Sequence, residues 1–302
     1  VKIAVFFIGA LQDRGFNASA LEGAEAASRL PGAEIEIVSG TPFEPSAMMR
    51  GLEAAAGRSD GVIVIGGQGN GVAPQIAAAH PGRAFAVVQG AVTGPNLASY
   101  EVLQEQSAFL AGCLAARLTQ SGTVGHLSGH RVAPGLKGRA AFAAGVAHAD
   151  PSVRLLTGFC GTQDDSAVTE AWAARIASEG ADILFTMLNA AREGASRACR
   201  AAGIRQIGNV SDWYAADPAL YLGSAVARID LGVLQAAEDM LAGVSPEAVR
   251  HMGLAEGAVR LALAPDAGAA VAEELAALAR QIAAGQLAVP GGYDGPELPP
   301  PG

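Results

Sequence analysis

The sequence predicts an α/β protein of two similar lobes, each a parallel sheet flanked by helices. Three observations point there. The runs at residues 3–8 (IAVFFI), 60–66 (DGVIVIG) and 182–187 (DILFTM) are apolar at almost every position, as strands buried on both faces must be. Helix-length segments separate such runs, and strand–helix alternation implies a parallel sheet with right-handed crossovers. The alternation runs to about residue 102, is interrupted by one long helix, and restarts near residue 123.

Taken in order, the strand at 3–8 is stopped by Gly9 and followed by the polar loop Gln12-Asp13-Arg14-Gly15. Asn17 is placed to cap a helix whose apolar stripe is Ala20, Leu21, Ala24, Ala27 and Leu30. Ligands of open parallel sheets bind beyond the carboxyl ends of the strands, so this loop reads as one jaw of a ligand cleft. Residues 34–38 alternate as a half-buried strand, and 46–58 read as a helix. The strand at 60–66 leads through the glycine-rich turn 67–71 into a short helix at 72–79, then strands at 84–89 and 96–102. The long helix, 104–119, carries Phe109, Cys113 and Leu114 on one side. The second set has strands at 123–127, 154–160, 182–187, 204–210 and 221–227, and helices at 136–149, 166–179 and 191–202. A helix at 231–242 closed by Gly243, a strand at 258–263 and an Ala-rich amphipathic helix at 266–284 follow. The tail VPGGYDGPELPPPG is Pro/Gly-rich and is expected to be extended or disordered, outside any core.

Composition narrows the function classes. A chain of 302 residues, half hydrophobic and 16% charged, can build two cores. A net charge of −9 with no basic cluster argues against nucleic acid or an anionic membrane surface as partner. No apolar run is long enough to cross a bilayer, and no basic n-region with an apolar core opens the chain; any leader is expected upstream of Val1. Cys113, Cys160 and Cys199 lack metal-type spacing and read as inert buried thiols, with at most one disulfide. His126 and His130 are four apart across a strand end and a glycine loop, which does not suit a metal. No G-x-S-x-G elbow and no Walker loop appears, so no catalytic, metal or cofactor residue is assigned.

Several strand-end residues are candidates for binding. Gly66-Gly67-Gln68-Gly69-Asn70-Gly71 lacks G-x-G-x-x-G spacing, and Gln89 rather than an acid ends the next strand, so a dinucleotide site is disfavoured. The loop instead reads as a tight turn that brings backbone amides to the cleft. Asp212 is a turn aspartate or a ligand contact; Trp213 beside it suits stacking on a flat heterocycle. Asn189 offers a donor and an acceptor to a base edge, or caps a helix. Phe16 can pack under the helix as a hydrophobic staple, and Trp172, mid-helix at core spacing, is core. Asp164-Asp165 precede a helix and favour its positive end.

The loop QDRGFNASALEG resembles the DKSFN-Q-x-x-x-EG signature of the basic membrane protein family, substrate-binding proteins of ABC transporters that include purine nucleoside receptor lipoproteins. Further segments resemble the family in order: Gln106 to Gly112, residues 129–151, the strand after Gly180, Ile207 to Asp212, and Ser224 to Asp230. The resemblance implies a type I periplasmic-binding-protein fold, hinged, with the ligand between lobes. The chain crossings are expected near residues 102, 227 and 259, giving lobes of 1–103 with 228–258 and 104–227 with 259–290, and a tail of 291–302. It implies ligand binding by Asp13, Phe16 and Asp212; the residues' own chemistry and place add Asn17, Gly67, Gln68, Gln89, Asn189 and Trp213 to the expected ligand-binding set, although relatives carry an aromatic residue in the Gln68 loop and glycines at Asn189. It also implies a non-enzymatic, monomeric receptor outside the cytoplasm, with a lipid anchor in some relatives, that serves an ABC permease and needs no cofactor.

One departure bears on the ligand. The family lysine that the resemblance implies holds ribose aligns with Ala227, and the adjoining Arg228 turns to the opposite face of a strand. A free purine base or similar planar heterocycle is therefore expected over an intact nucleoside. The alternatives are an α/β enzyme acting on nucleosides, which would need a clustered acid–base pair not evident here, and a ligand-sensing effector domain.

Overall fold

The computed structural model describes residues 1–301. In chain order the elements are β1 (Lys2–Ile8), α1 (Phe16–Ala27), β2 (Glu34–Thr41), α2 (Pro45–Ala56), β3 (Gly61–Ile65), α3 (Ala73–Ala79), β4 (Ala84–Val88) and β5 (Leu97–Val102). There follow α4 (Gln104–Leu118), β6 (Thr123–Ser128), α5 (Ala133–Ala149), β7 (Arg154–Phe159), α6 (Ser166–Ser178), β8 (Ile183–Met187), α7 (Arg192–Ala202) and β9 (Arg205–Val210). The chain ends with α8 (Trp213–Ala216), β10 (Tyr221–Ala227), α9 (Ile229–Leu241), β11 (Arg250–Met252), β12 (Val259–Leu263) and α10 (Ala269–Ala283). It divides into two units: Val1–Val102 with Arg228–Met252, and Leu103–Ala227 with the chain from Gly253 onward.

Unit 1 is a six-stranded sheet in the order β11-β5-β4-β3-β1-β2, parallel throughout. β1 shows why its sequence has no polar alternation. Ala4, Phe6 and Ile8 join a core with Met48 and Leu52 of α2 and Ile76 of α3. Ile3, Val5 and Phe7 point to the other face, where α1 and α9 pack together. Every residue from Ile3 to Phe7 is fully buried.

Unit 2 is also six-stranded, in the order β12-β10-β9-β8-β6-β7, parallel except for the β10–β12 pair. One face carries α4, α5 and α10 over Val124, Phe185 and Ile207; the other carries α6 and α7 over Leu127 and Leu184, with Trp172 in that core. α4 and α5 meet backbone to backbone. A Cβ on Gly112 would lie 2.2 Å from the Phe142 carbonyl oxygen, and one on Gly145 would lie 2.0 Å from that of Phe109.

Four features depart from the sequence expectation. β11 is an added strand, only three residues long, created by pairing with β5. α8 is a single turn started by Asp212. α10 begins at Ala269, because Pro265–Ala267 forms a 3-10 turn and Gly268 takes φ +87°. The third change of unit falls at residues 252/253 rather than near 259. There β11 ends its pairing in unit 1, and the Leu254 N–H donates to Oε1 of Gln106 in unit 2 (2.7 Å). The tail has no regular structure, yet Leu298 packs against the α6–α7 cluster. Asp165 caps α6 by accepting from the Ala167 and Val168 N–H groups. The three cysteines are unpaired; burial pushes the Cys113 and Cys199 thiols up to about 12.

His126 is fully buried in β6. Its ring nitrogens face Thr157 Oγ1 (2.8 Å) and Ser128 Oγ (3.2 Å), inside a cage of Phe142, Phe159 and Phe185. Burial first, and the Arg139 charge second, hold its pKa down to about 3 from 6.5. The unfolded chain therefore binds the proton more readily than the folded one. The stability contributed by neutral His126 is fully present above pH ~6.5 and is lost as pH falls toward 3. Between pH 7 and 4 the wild-type protein is expected to lose about 3 kcal/mol more than His126→Gln, by urea denaturation. Equal losses would remove His126 as the cause.

Candidate functional site

The strand-end loops carry the backbone strain. Among the described residues, three non-glycine residues have positive φ: Arg14 (54°) after β1, Gln89 (65°) after β4, and Val210 (65°) closing β9. All three lie at carboxyl ends of parallel strands, where ligands of such sheets bind. For a β-branched valine this conformation is a genuine outlier, and strain of this kind concentrates at functional sites.

In unit 1, Asp13 builds the β1–α1 loop. Its buried carboxylate accepts the Gly15, Asn17 and Ala18 N–H groups at 2.9, 2.8 and 3.0 Å, so it closes the start of α1. The cap expected from Asn17 is thus supplied by Asp13. Asn17 lies inside the first turn, and its amide donates to the Ile8 and Ala10 carbonyls (2.9 and 2.8 Å), tying helix to strand end. Phe16 is the first residue of α1, half-buried, rather than a staple ahead of the cap. Replacing Asp13 with Ala strands these buried amides. The expected cost to unit 1 is about 2–3 kcal/mol, since hydrogen bonds to a charged group are worth roughly 1.5–3 kcal/mol. Urea denaturation measures it; a loss under about 0.5 kcal/mol would place the carboxylate outside the loop's support.

Residues 66–71 of that unit form a 3-10 turn over Gly67–Gly71, with half-buried Gly67 and Gln68. The Gln68 side chain folds over Gly66, whose φ of +107° and lack of Cβ make that approach possible. Asn70 Oδ1 accepts the Ala91 N–H (2.9 Å), joining this turn to the loop after β4. Gln89 is buried and fully engaged: Nε2 donates to the Val102 carbonyl (3.0 Å) and Oε1 accepts its N–H (2.6 Å). The side chain acts as a surrogate backbone that extends the β4–β5 ladder.

In unit 2, Asp212 caps α8 through the Ala215 N–H (3.2 Å), and its other oxygen faces exposed Arg260 (3.3 Å). Trp213 is seated by its own loop. Its backbone N–H donates to Ser224 Oγ (2.9 Å), and its ring N–H donates to the Asn209 carbonyl (3.1 Å). The Arg192 guanidinium lies 4.5 Å from the ring centroid, and Tyr221 is tilted at 5.9 Å. Burial raises the Tyr221 hydroxyl above its usual range, against the nearby Arg192 charge. The Asn189 N–H donates to Gln163 Oε1 (2.9 Å), and α7 starts without a side-chain cap.

Sequence reasoning missed Arg192. It is 2% exposed at the start of α7 and donates to Thr186 Oγ1 (2.8 Å), the Leu188 carbonyl and Asn209 Oδ1. It ties the ends of β8 and β9 together beneath Trp213. The available signal was an arginine just after a buried strand, where a solvated side chain would gain nothing. At the family-lysine position, Ala227 is buried, and Arg228 is bound to Asp230 by Nε (2.9 Å) and Nη2 (2.6 Å). Among the described residues no group of His, Cys, Asp and Glu could hold a metal, and no helix is long and apolar enough to cross a membrane.

Two six-stranded α/β units, with strained and polar loops at the carboxyl ends of their strands, form the type I periplasmic-binding-protein fold. The chain belongs to the Bmp family, described as ABC transporter substrate-binding protein PnrA-like, whose profile matches residues 1–291. This is a family of transporter receptors rather than enzymes. The chain is 25% identical over 187 residues to basic membrane protein A of Borreliella burgdorferi, covering 61% of this chain and 55% of that one. It is 24% identical over 278 residues to an uncharacterized lipoprotein of Pyrococcus furiosus, covering 86% and 69%. The chain thus spans little more than half the length of the first of these. In fold it is similar to an ABC transporter solute-binding protein from Aeropyrum pernix K1, with TM-score 0.87 at 19% identity over 97% and 94% of the two chains.

Proposed function

We propose that the protein is the extracytoplasmic receptor of an ABC importer, and that it binds a purine base or nucleoside-like heterocycle at the loops beyond the carboxyl ends of its strands. The single observation that carries the ligand class is the pair Asp212 and Trp213 at the end of β9. A carboxylate stands beside an indole fixed from below by Arg192. An ionised carboxylate accepts ring N–H groups, and an indole stacks on flat rings. Half-buried Phe16, Gly67, Gln68 and Asn189 are open enough to touch the ligand, while Asp13, Asn17 and Gln89 hold the loops from within. Buried Ala227 in place of the family lysine favours a free base over an intact nucleoside.

The ligand is handed to a permease without chemical change. The working form is a monomer, by family resemblance, and the lipoprotein relative supports a lipid anchor. A thermal-shift screen of purines, pyrimidines, their nucleosides, sugars and amino acids tests the reading. At about 100-fold excess over Kd, ligand adds roughly 2.7 kcal/mol, or about 5–10 °C in a domain of this size. A purine base is expected to give the largest rise. A rise with sugars or amino acids alone would refute the heterocycle.

A further inference from the structure

The outermost strand of unit 2, β7, has one open edge, and residues 293–300 lie across it. The segment starts on the α5 side, where the Tyr293 ring lies 4.3 Å from the Arg139 guanidinium. The Glu297 carboxylate then receives Arg139 Nη1 (2.6 Å) and Arg131, two guanidinium groups that both lie over the Phe159 ring (5.2 and 4.6 Å). The Leu298 N–H donates to the Thr157 carbonyl of β7 (2.8 Å), and its half-buried side chain packs against the α6–α7 cluster. Arg175 of α6 donates to the carbonyls of Pro299 (2.5 Å) and Pro300 (3.1 Å). Three arginines from two sheet faces therefore grip one acidic, proline-flanked segment.

We propose that the β7 edge with Arg131, Arg139 and Arg175 is a peptide groove, and that residues 293–300 are its tethered, releasable occupant. Its ligand class is an extended acidic peptide punctuated by proline. Main-chain pairing to a sheet edge with side-chain anchors is a common mode of peptide recognition. The register is limited by sequence: Pro296, Pro299, Pro300 and Pro301 have no N–H, so Leu298 supplies one ladder bond and the strand cannot grow. The segment thereby blunts an edge that would otherwise template other chains.

Its hold is suited to release. One backbone bond reaches β7, and of the two ion pairs on Glu297 the one to Arg131 is partly exposed and weakened by salt, while the one to buried Arg139 is better shielded. Gly291 and Gly292 precede it, and a Cβ at either would meet nothing within 4 Å, so the chain stands off the unit there. Arg139 is the fixed part of the groove. It is 5% exposed, and its Nε has no hydrogen-bond partner among the described residues.

The test uses the full chain and a dye-labelled peptide of residues 291–301. In Glu297→Lys/Leu298→Asp the tethered segment loses its charge anchor and its apolar anchor. This variant is expected to bind the peptide saturably at low salt. The wild type is expected to bind at least tenfold more weakly, because its own segment competes at an effective concentration of about 1 mM. A peptide with Gln in place of Glu297 should bind the variant less well. A variant with unchanged melting that takes up no peptide, or takes it no better than wild type, would overturn the groove. Hydrogen exchange on the wild type decides the matter if the variant does not fold. The Leu298 amide should be protected at low salt and exchange at least tenfold faster at about 0.5 M salt. An unprotected amide, or one indifferent to salt, would overturn it equally.

Discussion

Gly145→Val is expected to remove several kcal/mol from unit 2, and Gly145→Ala about 3 kcal/mol. A Cβ at Gly145 would lie 2.0 Å from the Phe109 carbonyl oxygen and 3.1 Å from the Cys113 nitrogen. Carbon–oxygen contacts of this kind settle at about 3.3 Å or more. The obstructing atoms are backbone of α4, which cannot rotate aside as a side chain would. Relief requires α4 and α5 to separate, and that opens the core containing Phe109, Leu114, Phe142 and Val146. Alanine would otherwise help, since it favours a helix over glycine by about 1 kcal/mol. Overpacking costs typically 1–3 kcal/mol, and a rigid partner puts this site at the upper end. The clash therefore outweighs the propensity gain. Melting followed by circular dichroism should show the transition of unit 2 falling by roughly 6–12 °C for Ala, at 2–4 °C per kcal/mol. A transition that rises would mean that the helices are not in backbone contact.

Asp212→Asn is expected to leave the fold intact and to weaken binding of the best heterocycle about tenfold; Asp212→Ala, up to a hundredfold. Asp212 has a structural duty, the Ala215 N–H at the start of α8, and asparagine performs it nearly as well as aspartate. The Asn variant therefore isolates the charge. Removing a hydrogen bond to a charged group costs about 1.5–3 kcal/mol, and each 1.4 kcal/mol is about a decade in Kd. The Ala variant also loses the cap, worth about 1 kcal/mol of stability. Arg260→Ala is the control, because Arg260 faces the same carboxylate at 3.3 Å. If Arg260 only screens Asp212, its removal leaves binding unchanged or tighter. Calorimetry giving the same Kd for wild type, Asn and Ala would take Asp212 out of the site.

The strands were legible where burial on both faces left a continuous apolar run, as in β1, β3 and β8. β11 was not, because Arg-His-Met has no strand pattern and becomes a strand only by pairing with β5. The loop after β1 was legible as a polar strand-end loop but not in its wiring. Asp13 and Asn17 stand four apart and both suit a helix start. Which one caps depends on the path through Arg14, whose φ of +54° no local pattern announces. Gln89 illustrates the same limit, since a carboxamide at a strand end serves a ligand or a neighbouring backbone equally well, and here it serves Val102. Arg192 and Leu298 act through partners distant in sequence or through a sheet edge, so only the assembled unit reveals them.

The account rests on the loops at the carboxyl ends of the strands taking a flat polar ligand. Hydrogen exchange with and without the heterocycle selected by thermal shift tests this most directly. Protection is expected to rise at residues 189 and 211–214, which carry Asp212 and Trp213, and at the strand-end loops 13–17 and 66–71. No rise at residues 211–214, or protection appearing only away from these loops, would contradict it.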